Sequence, residues 1–262
     1  LKTKTIAPKL KNNDKTLEIE NINANIPIKA LFSQNFLIEN LEISTKSLKI
    51  ADFISFIKTF NHDPKLYLLQ KLIEKGYLIA DIKINFDEKG NFKNDFKVNG
   101  FIKDAKINVF KKYKVEKLNF IFNYKKNNLS IQDLDFSLNN LNFLSKKLNI
   151  KNSKDKYLID GEIDNKDLNI KDNNIDIFIK PFFPNINIET IKLSSNNKFS
   201  FEINKEYKFD NFNLTSNIEV DSLIIQNHMK LQNFFPKIKK EIDFSNHKIK
   251  VQYEKKYLKI NG

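Results

Sequence analysis

The chain has 262 residues, with 45 lysines, no arginine and 32 acidic residues, which gives a formal net charge of +13 at pH 7. It contains no cysteine, so disulfide frameworks, cysteine zinc sites and thiol catalysis are excluded. A hydrophobic content of 40% excludes a disordered chain, and no apolar run approaches the ~18 residues of a membrane-spanning helix.

Residues 52–75 have helical spacing. Apolar residues recur every three to four positions from Phe53 to Phe60, and a second such stripe ends at Gly76. Asp63-Pro64 between them is typical of an N-cap followed by the first helical residue. We therefore expect one broken helix or two short helices, whose apolar face covers an open end of a sheet. A weaker helical candidate spans Ile224 to Lys240.

Most of the chain alternates with a period of two. Ile82, Ile84 and Phe86 alternate with polar residues, which is typical of a strand with one apolar side. The same alternation recurs at Phe96–Val98, Ala105–Val109, Leu118–Tyr124, Leu134–Leu138, Tyr157–Ile163, Ile175–Ile179, Phe199–Ile203, Phe212–Ile218 and Ile249–Tyr253.

Polar clusters between these segments predict turns, because Asn, Asp and Gly adopt the backbone conformations that turns require. The clusters are Asp87–Gly90, Lys125–Asn128, Asp172–Asn174 and Ser194–Asn197. Short strands joined by short polar turns predict an antiparallel meander, here of roughly a dozen to sixteen strands.

A six-residue repeat runs through the predicted strands: an apolar residue, two polar residues, an apolar residue, a variable residue and an apolar residue. Each copy contains a one-residue slip in the period of two, which keeps the apolar residues on one face if a β-bulge absorbs the extra residue. The copies are Ile38–Ile43, Val115–Phe120, Ile131–Phe136, Ile188–Leu193, Phe209–Leu214 and Val220–Ile225.

A sheet with one apolar side must hide that side by closing into a barrel, by packing as a sandwich, or by curling into a trough whose lining meets another apolar group. The Ile-, Leu- and Phe-rich lining favours a trough that holds flexible hydrocarbon, although an ordinary closed core stays open as an alternative. We expect an all-β fold, a long curled antiparallel sheet with a U-shaped hydrophobic groove and a helical insert near residues 52–75. The expected lining residues are Ile82, Ile84, Phe86, Phe96, Val98, Ile107, Val109, Phe120, Phe122, Phe136, Leu138, Ile175, Ile177, Ile179, Phe199, Phe201, Ile203 and Leu214.

The sequence has few polar residues in patterns typical of a catalytic or metal-binding site. His62, His228 and His247 lack the spacing of metal ligands, and acid pairs such as Asp133/Asp135 alternate with apolar residues and are expected to face water. The lysines are spread along the chain without arginine, which argues against nucleic-acid recognition, whereas a weak attraction to anionic membrane surfaces is compatible with them. We expect no enzyme activity, no cofactor and no metal.

Three segments resemble the AsmA-like proteins, and most nearly the YhdP-type subgroup of bacterial envelope proteins. They are the strand pattern at residues 38–50, the helical stretch Ala51–Gly76 with Tyr77–Ile84 after it, and the glycine-containing segment Val98–Ile107. The likeness is best over about residues 17–165.

The resemblance implies a bridge-like lipid-transfer segment. Such proteins project into the periplasm from an inner-membrane anchor, and a long β-groove is thought to carry phospholipids between the inner and outer membranes. On this basis we expect a middle segment of a longer protein, anchored through a part absent from this chain, with phospholipid acyl chains as its partner. The alternative is a structural or adhesive β-sandwich module of the cell envelope.

Overall fold

The computed structural model describes residues 1–28, 37–60, 62–93, 95–109, 112–171, 173–226, 241–254 and 256–262. These residues form fifteen strands and three helices. The strands are β1 (Lys2–Ile6), β2 (Lys9–Asn12), β3 (Lys15–Asn25), β4 (Asn40–Thr45), β5 (Leu48–Lys49), β6 (Ile73–Asn85), β7 (Lys97–Val109), β8 (Tyr113–Lys125), β9 (Asn128–Leu138), β10 (Leu141–Asn152), β11 (Lys156–Lys171), β12 (Ile188–Asn204), β13 (Phe209–Gln226), β14 (Glu241–Glu254) and β15 (Tyr257–Asn261). The helices are α1 (Ile50–Ile57), α2 (Pro64–Leu72) and α3 (Asn173–Phe178).

All fifteen described strands belong to one antiparallel sheet. Its order is β1-β3-β4-β6-β7-β8-β9-β10-β11-β12-β13-β14-β15, with β2 paired to β3 and β5 paired to β6. The prediction of a long antiparallel meander is therefore confirmed. The strand order is an open path from β1 to β15, and it does not show the curl of a U-shaped groove, which stays a prediction.

The chain divides into two compact units. Unit 1 comprises Leu1–Phe136 and Lys147–Lys154, and unit 2 comprises Ser137–Lys146 and Asp155–Gly262. Each unit has its own cluster of buried apolar residues beneath a helix. The expectation that the chain is one segment of a longer domain remains a prediction.

The helical insert of unit 1 consists of two short helices, which is one of the two forms that the sequence predicts. Helix α1 begins at Ile50 and helix α2 ends at Leu72, so the helical region lies slightly earlier than residues 52–75. Asp63 is the N-cap of α2, as predicted: its carboxylate accepts a hydrogen bond from the Lys65 backbone N at 2.9 Å, and Pro64 is the first helical residue.

Helix α1 covers one end of the sheet face in unit 1, which is the role predicted for it. Ile50 and Ile54 pack against Leu78, Ala80 and Ala105, and all five side chains are buried. Gly76 in β6 is required for this contact. Its φ is 141°, and a Cβ there would lie 2.8 Å from the Ile50 Cδ1 and from the Ala105 Cα.

The predicted bulges are present in five of the six repeat copies. In three copies the third residue has a left-handed backbone: Lys117 with φ 52°, Asp133 with φ 49° and Asn211 with φ 50°. The copies at Ile188–Leu193 and Val220–Ile225 coincide with register shifts between β12 and β13. The copy at Ile38–Ile43 is an exception, because β4 pairs in continuous register with β6 from Asn40 to Ser44.

The strand predicted at Ile175–Ile179 is wrong. These residues form α3 and the turn after it, and Ile175 is buried against Leu168, Ile170 and Ile191. A turn predicted at Ser194–Asn197 is also wrong, because these residues lie inside β12 and pair with both neighbouring strands. The candidate helix from Ile224 to Lys240 begins inside β13, and its residues 227–240, with His228, lie outside the described residues.

Candidate functional site

Cross-strand pairing places a continuous set of apolar residues on one side of unit 1, because directly paired residues share a face of a sheet. We call this set face 1, which consists of Leu78, Ala80, Ile82, Ile84, Val98, Ile102, Phe120 and Phe122. Ile82 is paired with Val98, Leu78 with Ile102, and Ile102 with Phe120. The predicted lining residues Ile82, Ile84, Val98, Phe120 and Phe122 therefore do lie together.

Among the described residues of unit 1, a helix covers one end of face 1. Leu78 and Ala80 are buried under α1, whereas Ile82, Ile84 and Val98, further along the same strands, are only partly buried. Aromatic rings continue the apolar surface beyond this open end: Phe96 lies 5.4 Å from Tyr124 and 5.8 Å from Phe92, between ring centroids. Face 1 therefore offers an apolar surface that no other described element of unit 1 covers completely.

Phe122 has a structural role within face 1. It is the cross-strand partner of Gly100, and a Cβ on Gly100 would lie 2.5 Å from the Phe122 Cζ. Its ring thus occupies the space above the glycine and packs against the core beneath α1. Phe122 stabilises the fold of unit 1 as well as lining face 1.

The opposite side of unit 1 is polar at its ends and apolar at its centre. Lys83 and Glu42 are cross-strand partners and form an ion pair of 2.7 Å. Ile79 and Ile121 flank Phe101 on this side and are 46% and 44% exposed. Ile121 is a useful reference position because it adjoins Phe120 and Phe122 in sequence but faces the other way.

Unit 2 has a corresponding apolar surface. We call it face 2, which consists of Tyr157, Ile159, Leu168, Ile170, Ile191, Leu193, Phe199, Phe201, Ile203 and Leu214. Ile159 is paired with Phe201, and Phe199 with Leu214. Helix α3 covers the end at Leu168, Ile170 and Ile191, and the remainder carries the predicted lining residues Phe199, Phe201, Ile203 and Leu214.

A row of five aromatic rings crosses the uncovered end of face 2. The centroid distances are 5.9 Å from Phe199 to Phe201, 4.3 Å from Phe201 to Phe209, 6.0 Å from Phe209 to Phe212 and 5.6 Å from Phe212 to Tyr253. Phe209 is 59% exposed. Contacts at these distances are typical of aromatic pairs in protein cores, yet here the row stays accessible to solvent.

A polar row that the sequence analysis missed separates the two ends of face 2. Asn165 donates a hydrogen bond from its side-chain amide to the Ser195 Oγ at 2.6 Å, Asn197 donates to the same Oγ at 2.7 Å, and the Ser216 hydroxyl donates to the Asn197 Oδ1 at 2.6 Å. Asn165 and Ser216 are buried. The cluster Ser194–Asn197 is a signal for this row, since neighbouring strands carry Asn and Ser at matching positions.

The other predicted lining residues have more varied positions. Ile107 is paired with Ile73 and Val115 beyond the bulges of β7 and β8, and Val109 follows on the same side of the strand. Phe86 lies past the end of β6 and bridges to Phe92. Phe136 and Leu138 are partly exposed in β9. Ile175 is buried and Ile179 packs beside it, so these two residues help α3 to cover face 2, and Ile177 is partly exposed on the same helix.

Shifted pKa values occur in ion pairs that solvent reaches at least in part. Glu202 accepts hydrogen bonds from the Lys156 ammonium at 2.8 Å and from the Asn211 amide at 2.9 Å, and these bonds lower its pKa below the ordinary value. The ammonium of Lys248 is hydrogen-bonded to Glu219, which raises the lysine pKa. Such exposed pairs keep the strands in register rather than forming a reactive site.

Within the described residues, no group of three or more His, Cys, Asp and Glu side chains could hold a metal ion. None of the described helices is long and apolar enough to cross a membrane. Comparison of the chain with known protein families, with curated proteins and with solved structures found no match. The candidate site of this chain is therefore defined by faces 1 and 2 themselves.

Proposed function

We propose that the chain is a non-catalytic lipid-conducting segment, in which phospholipid acyl chains lie on the uncovered ends of faces 1 and 2. The main observation behind this proposal is that a helix covers only part of the apolar side chains of each face. In each unit a helix buries one end of an apolar surface, while Ile, Phe and Leu side chains at the other end stay partly exposed.

Exposed aromatic rings at the uncovered ends support this proposal. Phe92 beside face 1 and Phe209 in the row across face 2 are 50% and 59% exposed. Soluble monomers rarely expose contiguous apolar patches larger than a few hundred Å². An acyl chain on such a surface gains about 0.8 kcal/mol for each methylene group removed from water.

The chemistry of the two faces suits a moving ligand. Their uncovered ends are rich in Ile, Val, Leu and Phe, so an acyl chain meets a similar apolar surface at each step from one strand to the next. Hydrocarbon would be held strongly relative to water but weakly against sliding, which conduction requires. In face 2 the polar row of Asn165, Ser195, Asn197 and Ser216 limits this uniform surface to the end with the aromatic rings.

The resemblance to the AsmA-like proteins supplies the cellular setting of the proposal. In that setting the sheet curls into a U-shaped groove and forms a middle part of a longer periplasmic protein. The longer protein is anchored in the inner membrane through a segment absent from this chain and carries phospholipid towards the outer membrane. No cofactor, metal or catalytic residue takes part.

The alternative function, a structural or adhesive β-sandwich module, is less well supported. A sandwich buries its apolar residues between two packed sheets, whereas the fifteen described strands belong to a single sheet. The partly exposed Ile82, Ile84 and Val98 also differ from the buried positions of a sandwich core.

Native mass spectrometry of the purified chain tests the proposal. We expect bound phospholipid on the unaltered protein and its loss from the double variant I84K/L214K, which places one charge on each face. The matched control is I121K/T215K, which adds the same charge on the opposite sides of the strands: Ile121 adjoins Phe120 and Phe122 of face 1 in β8, and Thr215 adjoins Leu214 in β13. Phe122 is unsuitable for this experiment because its replacement would also uncover Gly100.

The outcomes separate the two functions. Lipid lost from I84K/L214K and kept by I121K/T215K, with both variants folded by circular dichroism, supports lipid conduction. Lipid-free unaltered protein would overturn the proposal, as would equal lipid content in all three proteins. Unfolding of I84K/L214K alone, with no lipid on the unaltered chain, is the result expected of a closed structural module.

A further inference from the structure

The second helix of unit 1 exposes more apolar surface than it buries. None of the nine residues of α2 is buried, although five of them are Leu or Tyr. Tyr67, Leu68 and Leu69 are 45%, 56% and 44% exposed, and Phe60 just before the helix is 67% exposed. Leu66 alone among the α2 residues packs against the core beneath α1.

Lysines outnumber acids around this helix, with Lys58, Lys65, Lys71 and Lys75 against Asp63 and Glu74. Residues Pro64–Leu72 contain Lys65 and Lys71, both exposed, and no Asp or Glu. The Asp63 carboxylate accepts a hydrogen bond from the Lys65 backbone N at the start of the helix, and Glu74 pairs with Lys106 at 2.6 Å. We call Phe60, Lys65, Tyr67, Leu68, Leu69 and Lys71 the α2 surface.

The α2 surface is held in place by contacts on its inner side. The Lys58 ammonium lies 3.7 Å from the centre of the Tyr67 ring and bonds the Gln70 Oε1 at 2.7 Å, which links the end of α1 to α2. Phe60 stacks edge-on against the buried Phe56 at 5.4 Å between centroids. The exposed apolar groups are thus presented on an ordered element.

We propose that the α2 surface docks on an anionic lipid bilayer. The α2 surface presents exposed apolar side chains beside two lysines, and these are the two kinds of group that attach a protein to an anionic bilayer. Each lysine near the anionic headgroups raises the affinity for the bilayer by about fivefold. Leu68 and Phe60 enter the boundary between headgroups and acyl chains. This docking is separate from lipid conduction along face 1, because it uses other residues.

A second exposed apolar segment provides an internal comparison. Phe182 and Phe183 in unit 2 are 77% and 53% exposed. The nearby Lys180 pairs with Asp176 at 2.5 Å, which compensates its charge. The α2 surface therefore differs from this segment in having two lysines with no acidic residue in the same helix, and the two segments can be compared directly.

Vesicle co-sedimentation of the full chain tests the inference. The probes are vesicles of phosphatidylcholine alone and vesicles of equal parts phosphatidylcholine and phosphatidylglycerol. We expect binding to the mixed vesicles that weakens at high salt. We expect K65Q/K71Q to weaken it about 30-fold, since each lysine contributes about fivefold. L68S should weaken binding severalfold without changing its salt dependence.

Two controls separate this inference from general effects. K154Q/K205Q removes the same charge from exposed loop positions, and F182S/F183S removes exposed aromatic rings outside the α2 surface; both should bind as the unaltered chain does. Equal weakening by K154Q/K205Q or F182S/F183S would overturn the proposal, as would unchanged binding of K65Q/K71Q or no vesicle binding by the unaltered chain. Lipid bound to face 1 is read independently by mass spectrometry, where K65Q/K71Q keeps its lipid, while I84K/L214K keeps its vesicle binding.

Discussion

Lys117 tests the link between the six-residue repeat and the β-bulges. It occupies the third position of the copy Val115–Phe120 and has φ 52°, where β8 contains one more residue than its partner β7 between Leu118 and Val115. The corresponding bulge residues Asp104, Asp133, Asp167 and Asn211 also have positive φ, and Asp and Asn tolerate this conformation. Lysine lacks the short polar side chain that helps Asp and Asn in this conformation, so the bulge at Lys117 should be strained.

The strain can be estimated from backbone energetics. A non-glycine residue in the left-handed region costs roughly 1–2 kcal/mol, which K117G removes. Glycine in a strand costs about 0.5–1 kcal/mol through its flexibility in the unfolded chain. The net expectation for K117G is a stabilisation of about 0.75 kcal/mol, within a range of about 0–1.5 kcal/mol. K117V should destabilise the protein instead, because a β-branched side chain fits this backbone poorly.

Urea unfolding at equilibrium measures these differences. The matched control is K250G, at an exposed strand position that pairs in regular register with the uncharged Asn217 and Asn261; it should destabilise the chain by about 0.5–1 kcal/mol. The reasoning predicts opposite signs for K117G and K250G. If both glycine variants lower the unfolding midpoint equally, Lys117 does not have a strained backbone and the repeat does not encode the bulge.

Three further predictions concern other elements. G100A should destabilise unit 1 by about 1–3 kcal/mol in urea unfolding, because its Cβ would lie 2.5 Å from the Ile79 carbonyl oxygen; an unchanged midpoint would contradict this contact. D63A should cost about 0.5–2 kcal/mol through loss of the α2 cap and D63N far less, so equal losses in thermal unfolding would refute the capping role. Because the pKa of Glu202 is lowered in the fold, its stabilising effect is present at neutral pH and is lost as the pH falls through that pKa. E202Q should therefore lose less thermal stability on acidification than the unaltered chain, and parallel pH profiles of the two proteins would exclude this linkage.

The sequence pattern predicts most of the long strands and five of the six expected bulges, but it misses β1, β2, β3, β10 and β15. The apolar residues of β6, from Leu78 to Ile84, recur at every second position, and this period exists because alternate side chains of a strand point to one face. At a bulge the backbone accommodates one extra residue, so the slip at Lys117 or Asn211 leaves the following apolar residue on the same side. Local patterning and tertiary structure agree at these positions.

Helix α3 and the polar row could not be predicted from local patterns. Ile175, Ile177 and Ile179 alternate as in a strand, and six helical residues are too few to show a period of 3.6. Burial of Ile175 against Leu168 and Ile191 stabilises the helix through contacts distant in sequence. Ser195 and Asn197 resemble turn residues in the same way, and only the register with Asn165 and Ser216 provides their hydrogen-bond partners.

In both units a helix covers part of an apolar face, but the helix is inserted at a different point of the strand order. Unit 1 covers part of face 1 with α1, inserted before β6, whereas unit 2 covers part of face 2 with α3, inserted between β11 and β12. A structural core gains stability from every apolar residue that it buries, so a purely structural role gives no reason for both helices to stop short of Ile84 and Phe201. A ligand that needs an apolar surface does give one, because complete coverage by either helix would remove its binding site.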